Sequence, residues 1–262
     1  MAIFFVRERY EHGSGFLHRI DPCVKIVTVV LFAFAVLASR EGDWIAFAGF
    51  ALFVALVIAL SGLPLKLIVG RSMLALPFVI VAVPLIFTRE GETIFRVPLV
   101  GWTASDEGVR AVASILLKSW LTVLMAVVLT ATTRPLDLIR GLERLRLPRI
   151  LTATVLFMYR YLFVIGEEGQ RLMRARDARS AGDGVRRSGG SLTWRARVLG
   201  NMVGSLFIRS FERSERIYMA MLARGFDGRI RTLSAQQLGA RDWTVLTVAV
   251  VTLCGLVLHA RL

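Results

Sequence analysis

The most regular chemical feature of this 262-residue chain is a pattern of charged and small residues repeated at one offset of 45 positions. Glu167 and Arg171 are followed by Ala178-Arg179-Ser180, and Glu212 and Arg216 are followed by Ala223-Arg224-Gly225. A Glu four residues before an Arg lies on the same helical face, so each copy predicts an ion pair on an exposed helix. A guanidinium offers a planar, multi-donor fork that suits a carboxylate, and an adjacent alanine permits close backbone approach. Small residues and glycine after each Ala-Arg signal the end of a helix. Arginine near a helix C-terminus also complements the macrodipole by about 0.3–1 kcal/mol. That effect explains an arginine somewhere in the last turn, but not four matched positions at one offset. Two equivalent arginine-bearing helix ends fit a partner with two equivalent grooves, hence a dimer.

Other reactive side chains form no constellation. The chain has no Gly-x-x-x-x-Gly-Lys-Ser/Thr loop to cradle nucleotide phosphates, no Gly-x-Ser-x-Gly and no His-Glu-x-x-His. His12, His18 and His259 are scattered without metal-ligand spacing, so no metal site is expected in the chain. Cys23 and Cys254 read as packing residues rather than redox ones. Met202, Met219 and Met221 share one helical stretch, as an adaptable contact surface or as ordinary core. Lys118 is the one charge deep in an apolar run, which admits snorkelling, pairing inside a bundle, or contact with a partner or lipid.

The elements that must carry these residues are membrane helices. Hydrophobic residues make up 55% of the chain and mean hydropathy is +0.62, which excludes a disordered chain and points to an all-α polytopic membrane protein. A spanning helix needs about 20 apolar residues. Five stretches qualify, near 22–38, 44–60, 67–87, 109–131 and 243–260. Asp21 and Pro22 supply an N-cap and a first helical residue for the first. Pro77 and Pro84 predict a kink in the third. Trp44, Trp102 and Trp243 sit near span ends, where an indole prefers the interface. None of the five carries Asp or Glu in its interior, which disfavours an ion-coupled carrier. No cleavable leader is expected, because the first apolar run starts only behind Asp21-Pro22.

Residues 132–241 differ in kind, with 21 arginines and no lysine against nine acidic residues, a net +12 of the chain's +14. Basic residues flank both neighbouring spans, so the segment is expected on the cytoplasmic side, as is the N-terminus. The charge therefore reads as membrane orientation rather than nucleic-acid binding, for which no module is present. The segment predicts a short amphipathic helix from Pro135 to before Pro148 and two long helices, near 149–181 and 192–224. Arg160, amid the apolar first half of the former, argues against a plain sixth span. The chain thus divides into 1–131 with four spans, the 132–241 segment, and 242–262 with the last span.

The stretch from Arg209 to Gly228, RSFERSERIYMAMLARGFDG, resembles the transmembrane (T) component of energy-coupling factor (ECF) transporters. Tyr159-Arg160-Tyr161, Glu167-Glu168, Arg176-Asp177-Ala178-Arg179-Ser180 and Leu17-His18-Arg19-Ile20-Asp21-Pro22 with Lys25 are similar to the same family, most of all to its cobalt-type CbiQ branch. The likeness covers essentially the whole chain. It implies a non-catalytic membrane subunit joining two cytoplasmic ABC-type ATPases to a small substrate-binding (S) membrane subunit in the bacterial inner membrane. Its coupling helices end in two Ala-Arg-Gly motifs, carried over here to Ala178, Arg179 and Ser180 and to Ala223, Arg224 and Gly225. Ser180 replaces the family's glycine in the first. The resemblance places ATP and Mg²⁺ in the ATPases and the transported ion in the substrate-binding subunit, leaving no cofactor in this chain.

Co²⁺ is the expected cargo, with Ni²⁺ or a vitamin as the rival. A different class of reading is a membrane enzyme whose arginines hold an anionic lipid or phosphate substrate, against which stands the lack of a general base or metal site. A scaffold without energy coupling is the third.

Overall fold

The computed structural model describes residues 15–73, 84, 93–96, 103–179, 191–228 and 239–260. A 3-10 turn, Phe16–Arg19, leads into α1 (Pro22–Ala38), α2 (Trp44–Ser61) and α3 (Leu65–Ser72). Two short antiparallel strands, β1 (Thr93–Arg96) and β2 (Thr103–Ser105), precede α4 (Asp106–Thr132). The remaining helices are α5 (Pro135–Arg144), α6 (Arg149–Arg179), α7 (Leu192–Ala223) and α8 (Ala240–His259). The chain forms two compact units, 1–146 with 234–262, and 147–233.

The architecture is the all-α membrane type that the hydropathy predicts. Helices α2, α4, α6 and α8 are each long and apolar enough to cross a bilayer, and α1 is a shorter apolar helix of 17 residues. Of the stretch 67–87, α3 is described, while Pro77 and its neighbours at 74–83 lie outside the described residues. Helix α6 meets the length and composition of a span even with Arg160, whose side chain is exposed. The small strand pair was not expected and sits in the charge-balanced loop before α4.

In the first unit, α1, α2, α4 and α8 bury Phe32, Val36, Phe50, Val54, Met125 and Leu253 together. Phe32 meets Phe50 edge-on at 5.8 Å and stacks on Phe53 at 5.7 Å. Offset and T-shaped rings of this kind add to plain area burial.

Polar groups set the register of these apolar helices. Helices α1 and α4 exchange lysines. Lys25 of α1 is buried and donates to the Thr132 carbonyl (3.3 Å) and the Thr133 hydroxyl (3.2 Å) at the end of α4. Lys118 of α4 donates to the Ser39 carbonyl (2.7 Å) at the end of α1, with the Phe47 ring 6.0 Å away. Each ammonium thus lies at a helix C-terminus, where unpaired carbonyls and the dipole favour a cation. Lys118 pairs inside the bundle. Nearby, Gly42 N–H donates to the Ser114 hydroxyl at 3.0 Å, tying the α1–α2 turn to α4.

Asp21 joins three elements at the other end of α1. Its carboxylate caps α1 through Cys23 N–H (2.9 Å) and accepts from the Arg144 guanidinium at the end of α5. Its own N–H donates to Asp242 in the first turn of α8 (3.0 Å). Gly141 of α5 makes the close approach possible, because a Cβ there would lie 3.1 Å from the Cys23 nitrogen and 2.9 Å from Ile26 Cδ1. Asp21 is only 3% exposed, so losing it would strip α1 of its cap and leave Arg144 without this carboxylate. Asp21→Ala is expected to destabilise the first unit by about 2–4 kcal/mol. Thermal unfolding in detergent checks this against Lys66→Ala, an exposed change expected to stay within about 0.5 kcal/mol of the parent.

Candidate functional site

The second unit is built from α6 and α7. Their composition explains why both are long helices that lack a core of their own. The first half of α6 is apolar and its second half arginine-rich, and no residue of α7 is buried. Ser191 starts α7 as an N-cap, its hydroxyl accepting from Trp194 N–H at 3.3 Å.

Helix α7 runs back along α6. Phe157, Tyr161 and Ile165 face Ile217, Tyr218 and Met221 across an apolar cleft of about 280 Å³. Farther along, Arg171, Arg176 and Arg179 face Trp194, Asn201 and Arg209 across an open groove of about 730 Å³. Met221 thus belongs to the apolar cleft, Met202 to the basic groove, and Met219 is exposed on the outside.

Between the two, Glu168 gathers three arginines. Its carboxylate accepts from Arg171 one turn on (2.7 Å) and from Arg209 of α7 (3.4 Å), with Arg213 of α7 at 3.8 Å. The predicted pairing of Glu167 with Arg171 is therefore replaced. Arg171 turns to Glu168, because that side faces α7 and its two further guanidiniums, while Glu167 is exposed. In the second copy the predicted i,i+4 pair is present, Glu212 with Arg216 at 4.0 Å, and both side chains are exposed. Glu168, Arg209 and Arg213 were absent from the residues singled out by the repeat. The signal that points to Glu168 is the double Glu167-Glu168 on a helix otherwise rich in arginine.

The two Ala-Arg ends are not brought together. Ala178 and Arg179 are the last two residues of α6, and both are exposed; Ser180 lies outside the described residues. Ala223 ends α7, Arg224 is its C-cap, and Gly225 takes the left-handed conformation with φ +75°. Gly225 N–H donates to the Leu222 carbonyl (2.9 Å) and Phe226 N–H to the Met221 carbonyl (3.1 Å). This is the paired 6→1 and 5→2 bonding of a Schellman end, which satisfies terminal carbonyls. At about 1.5 Å per residue, Arg179 lies roughly 16 Å beyond Glu168 on α6 and Arg224 roughly 22 Å beyond Arg209 on α7. Because the helices run in opposite directions, the two arginines stand at opposite ends of the pair. Among the described residues, no three His, Cys, Asp or Glu side chains cluster as a metal site.

The family described as "Cobalt transport protein", CbiQ, matches residues 13–234, a span that includes both Ala-Arg ends. The chain belongs to this family. An energy-coupling factor transporter transmembrane protein EcfT of Brevibacillus brevis is 32% identical over 93% of this chain and 93% of its own length. An EcfT of Bacillus selenitireducens is 30% identical over 92% of this chain and 91% of its own. An uncharacterized protein of Methanocaldococcus jannaschii is 28% identical over 99% of this chain and 87% of its own. The resemblance to ECF T components drawn from the two motifs is thereby borne out across nearly the whole length.

Gly225 and Arg224 are separable by substitution. Gly225→Ala forces a side chain into the left-handed region and is expected to cost about 1 kcal/mol. Arg224→Ala, at an exposed position, is expected to change stability by less than about 0.5 kcal/mol. Thermal unfolding followed by circular dichroism distinguishes the two.

Proposed function

We propose that the chain is the non-catalytic coupling subunit of an ECF-type importer in the bacterial inner membrane. The observation that carries this reading is the placing of two exposed Ala-Arg helix ends, 178–179 and 223–224, at opposite ends of one antiparallel helix pair. Each arginine inserts into an acidic groove on one of two cytoplasmic ATPases, where a guanidinium–carboxylate fork gives both charge and geometric selectivity. ATP binding draws the two ATPases together, and the helix pair passes that motion to a substrate-binding membrane subunit held on its apolar faces. Exposed Phe207 and Phe211, one turn apart on α7, support such a contact, since neighbouring apolar side chains on a surface mark an interaction face.

ATP and Mg²⁺ belong to the ATPases in this scheme, and the transported ion to the substrate-binding subunit, with no cofactor held by this chain. Co²⁺ as cargo rests on the description of the matching family. The N-terminus and the segment 132–241 lie on the cytoplasmic side, as the arginine distribution favours. Glu212–Arg216 supports the second helix end from the exposed face, and Arg171 supports the first through Glu168.

The test is purification of the tagged chain co-expressed with the ATPase and small membrane-protein genes of its own operon. Arg179→Ala with Arg224→Ala is expected to lose at least about tenfold of the recovered ATPase, as breaking charge-assisted contacts at both ends of the pair implies. Membrane insertion is expected to remain at the parent level. Full ATPase recovery and normal ⁵⁷Co²⁺ uptake by the double variant would remove Arg179 and Arg224 from the docking site.

A further inference from the structure

Glu168 has a place in the coupling unit that the motif repeat leaves unassigned. It is the carboxylate at the middle of the α6–α7 pair, 17% exposed, with guanidiniums from both helices on its two oxygens. The packing around it is thin. No residue of α7 is buried, and next to Glu168 the small Gly169 leaves its nearest α7 neighbour, Leu206, in no more than ordinary contact range, 3.8 Å from a Cβ built there. Two long helices with little shared core are free to slide or splay unless a directional contact fixes their register. A carboxylate that accepts from Arg209, while Arg171 occupies its other oxygen, supplies that contact. Single exposed ion pairs contribute little, but a shared, half-buried carboxylate among three guanidiniums is a network with defined geometry.

We infer that Glu168 is a positioning residue for transmission: it pins α6 to α7 near the midpoint between Arg179 and Arg224, so that the two helix ends move as one lever. The inference rests on the coupling function proposed above. Removing the pin should leave each end able to dock while the displacement of one end no longer reaches the other.

The test uses the full complex with Glu168→Gln, which keeps the shape and removes the charge. Spin labels replace Met158 of α6, which is 62% exposed, and Glu215 of α7, an exposed polar residue; both lie on the same side of the pin, and Cys23 and Cys254 are changed to serine. Pulsed electron–electron resonance is expected to give one narrow distance in the parent and a broadened distribution in Glu168→Gln. ATPase recovery is expected to be unchanged, while cargo transported per ATP hydrolysed falls about fivefold or more. Arg209→Gln with Arg213→Gln, which removes both α7 guanidiniums from Glu168, is expected to do the same and serves if Glu168→Gln fails to insert.

An unaltered distance distribution overturns the inference, and so does a broadened one with cargo per ATP within about twofold of the parent. Loss of ATPase from the Glu168→Gln complex also overturns it, because Glu168 would then belong to docking. If the parent chain itself recovers no ATPase, the coupling reading fails. The spin-label distances then still decide whether Glu168 pins the pair.

Discussion

A charge inside an apolar bundle is tolerated only where protein groups replace the water it has lost, and this requirement organises the first unit. Lys25 and Lys118 are the only lysines within its spans, and each ends on a carbonyl at the C-terminus of the opposite helix. The last carbonyls of a helix are the groups most in need of donors, so the exchange satisfies both sides of the deficit at once. It also fixes the relative height of α1 and α4, because a helix shifted by one turn would move about 5.4 Å and strand both ammonium groups. Apolar packing alone has no such preference. Phe32, Val54 and Met125 would find comparable neighbours in more than one register, whereas the buried Lys25 ammonium and the half-buried Lys118 ammonium meet their carbonyls together in this one.

Asp21 extends the same logic to the ends of α5 and α8. One residue caps its own helix, holds Arg144 and meets the first turn of α8, so a single carboxylate and its amide locate three chain segments far apart in sequence. The second unit solves a different problem. Its helices bury almost nothing against one another and present Phe207, Ile208 and Phe211 outward, so their stability cannot come from a private core. Directional charge contacts at Glu168 take over the role that packing has in the first unit. Such an arrangement suits an element whose apolar surface is completed by partners, because a well-packed core would leave no apolar face to offer.

Much of this was legible in the sequence, for reasons that can be named. Length and hydropathy locate α1, α2, α4 and α8 within a few residues, since a spanning helix has no other way to satisfy its backbone. Asp21-Pro22 reads as a helix start and is one, because an N-cap is a local interaction between neighbours. The tertiary partners were not legible. Nothing in the sequence ties Lys25 to Thr132 or Lys118 to Ser39, for these contacts exist only once α1 and α4 lie side by side. The same limit explains the first ion pair. From spacing alone Glu167 is the better partner for Arg171, and only the presence of α7 makes the Glu168 side the populated one. The β1–β2 pair was missed because its strands are of four and three residues, too short to show an alternating pattern.

The geometry of the second helix end bears directly on how its arginine should be read. An arginine in a last turn can be there for the helix, neutralising terminal carbonyls and the dipole. At the end of α7 the backbone has already taken that role. Gly225, in the left-handed conformation, returns its own N–H and that of Phe226 to Leu222 and Met221. With those carbonyls satisfied by main-chain donors, the helix does not need the Arg224 guanidinium in order to end. Glycine at 225 is thus accounted for by the fold, whereas the exposed arginine before it is not required for the helix to end. Separating the two removes, at this second end, the strongest ordinary explanation for its Ala-Arg. What is left is a side chain whose charge, planarity and exposure are all suited to a carboxylate on another molecule.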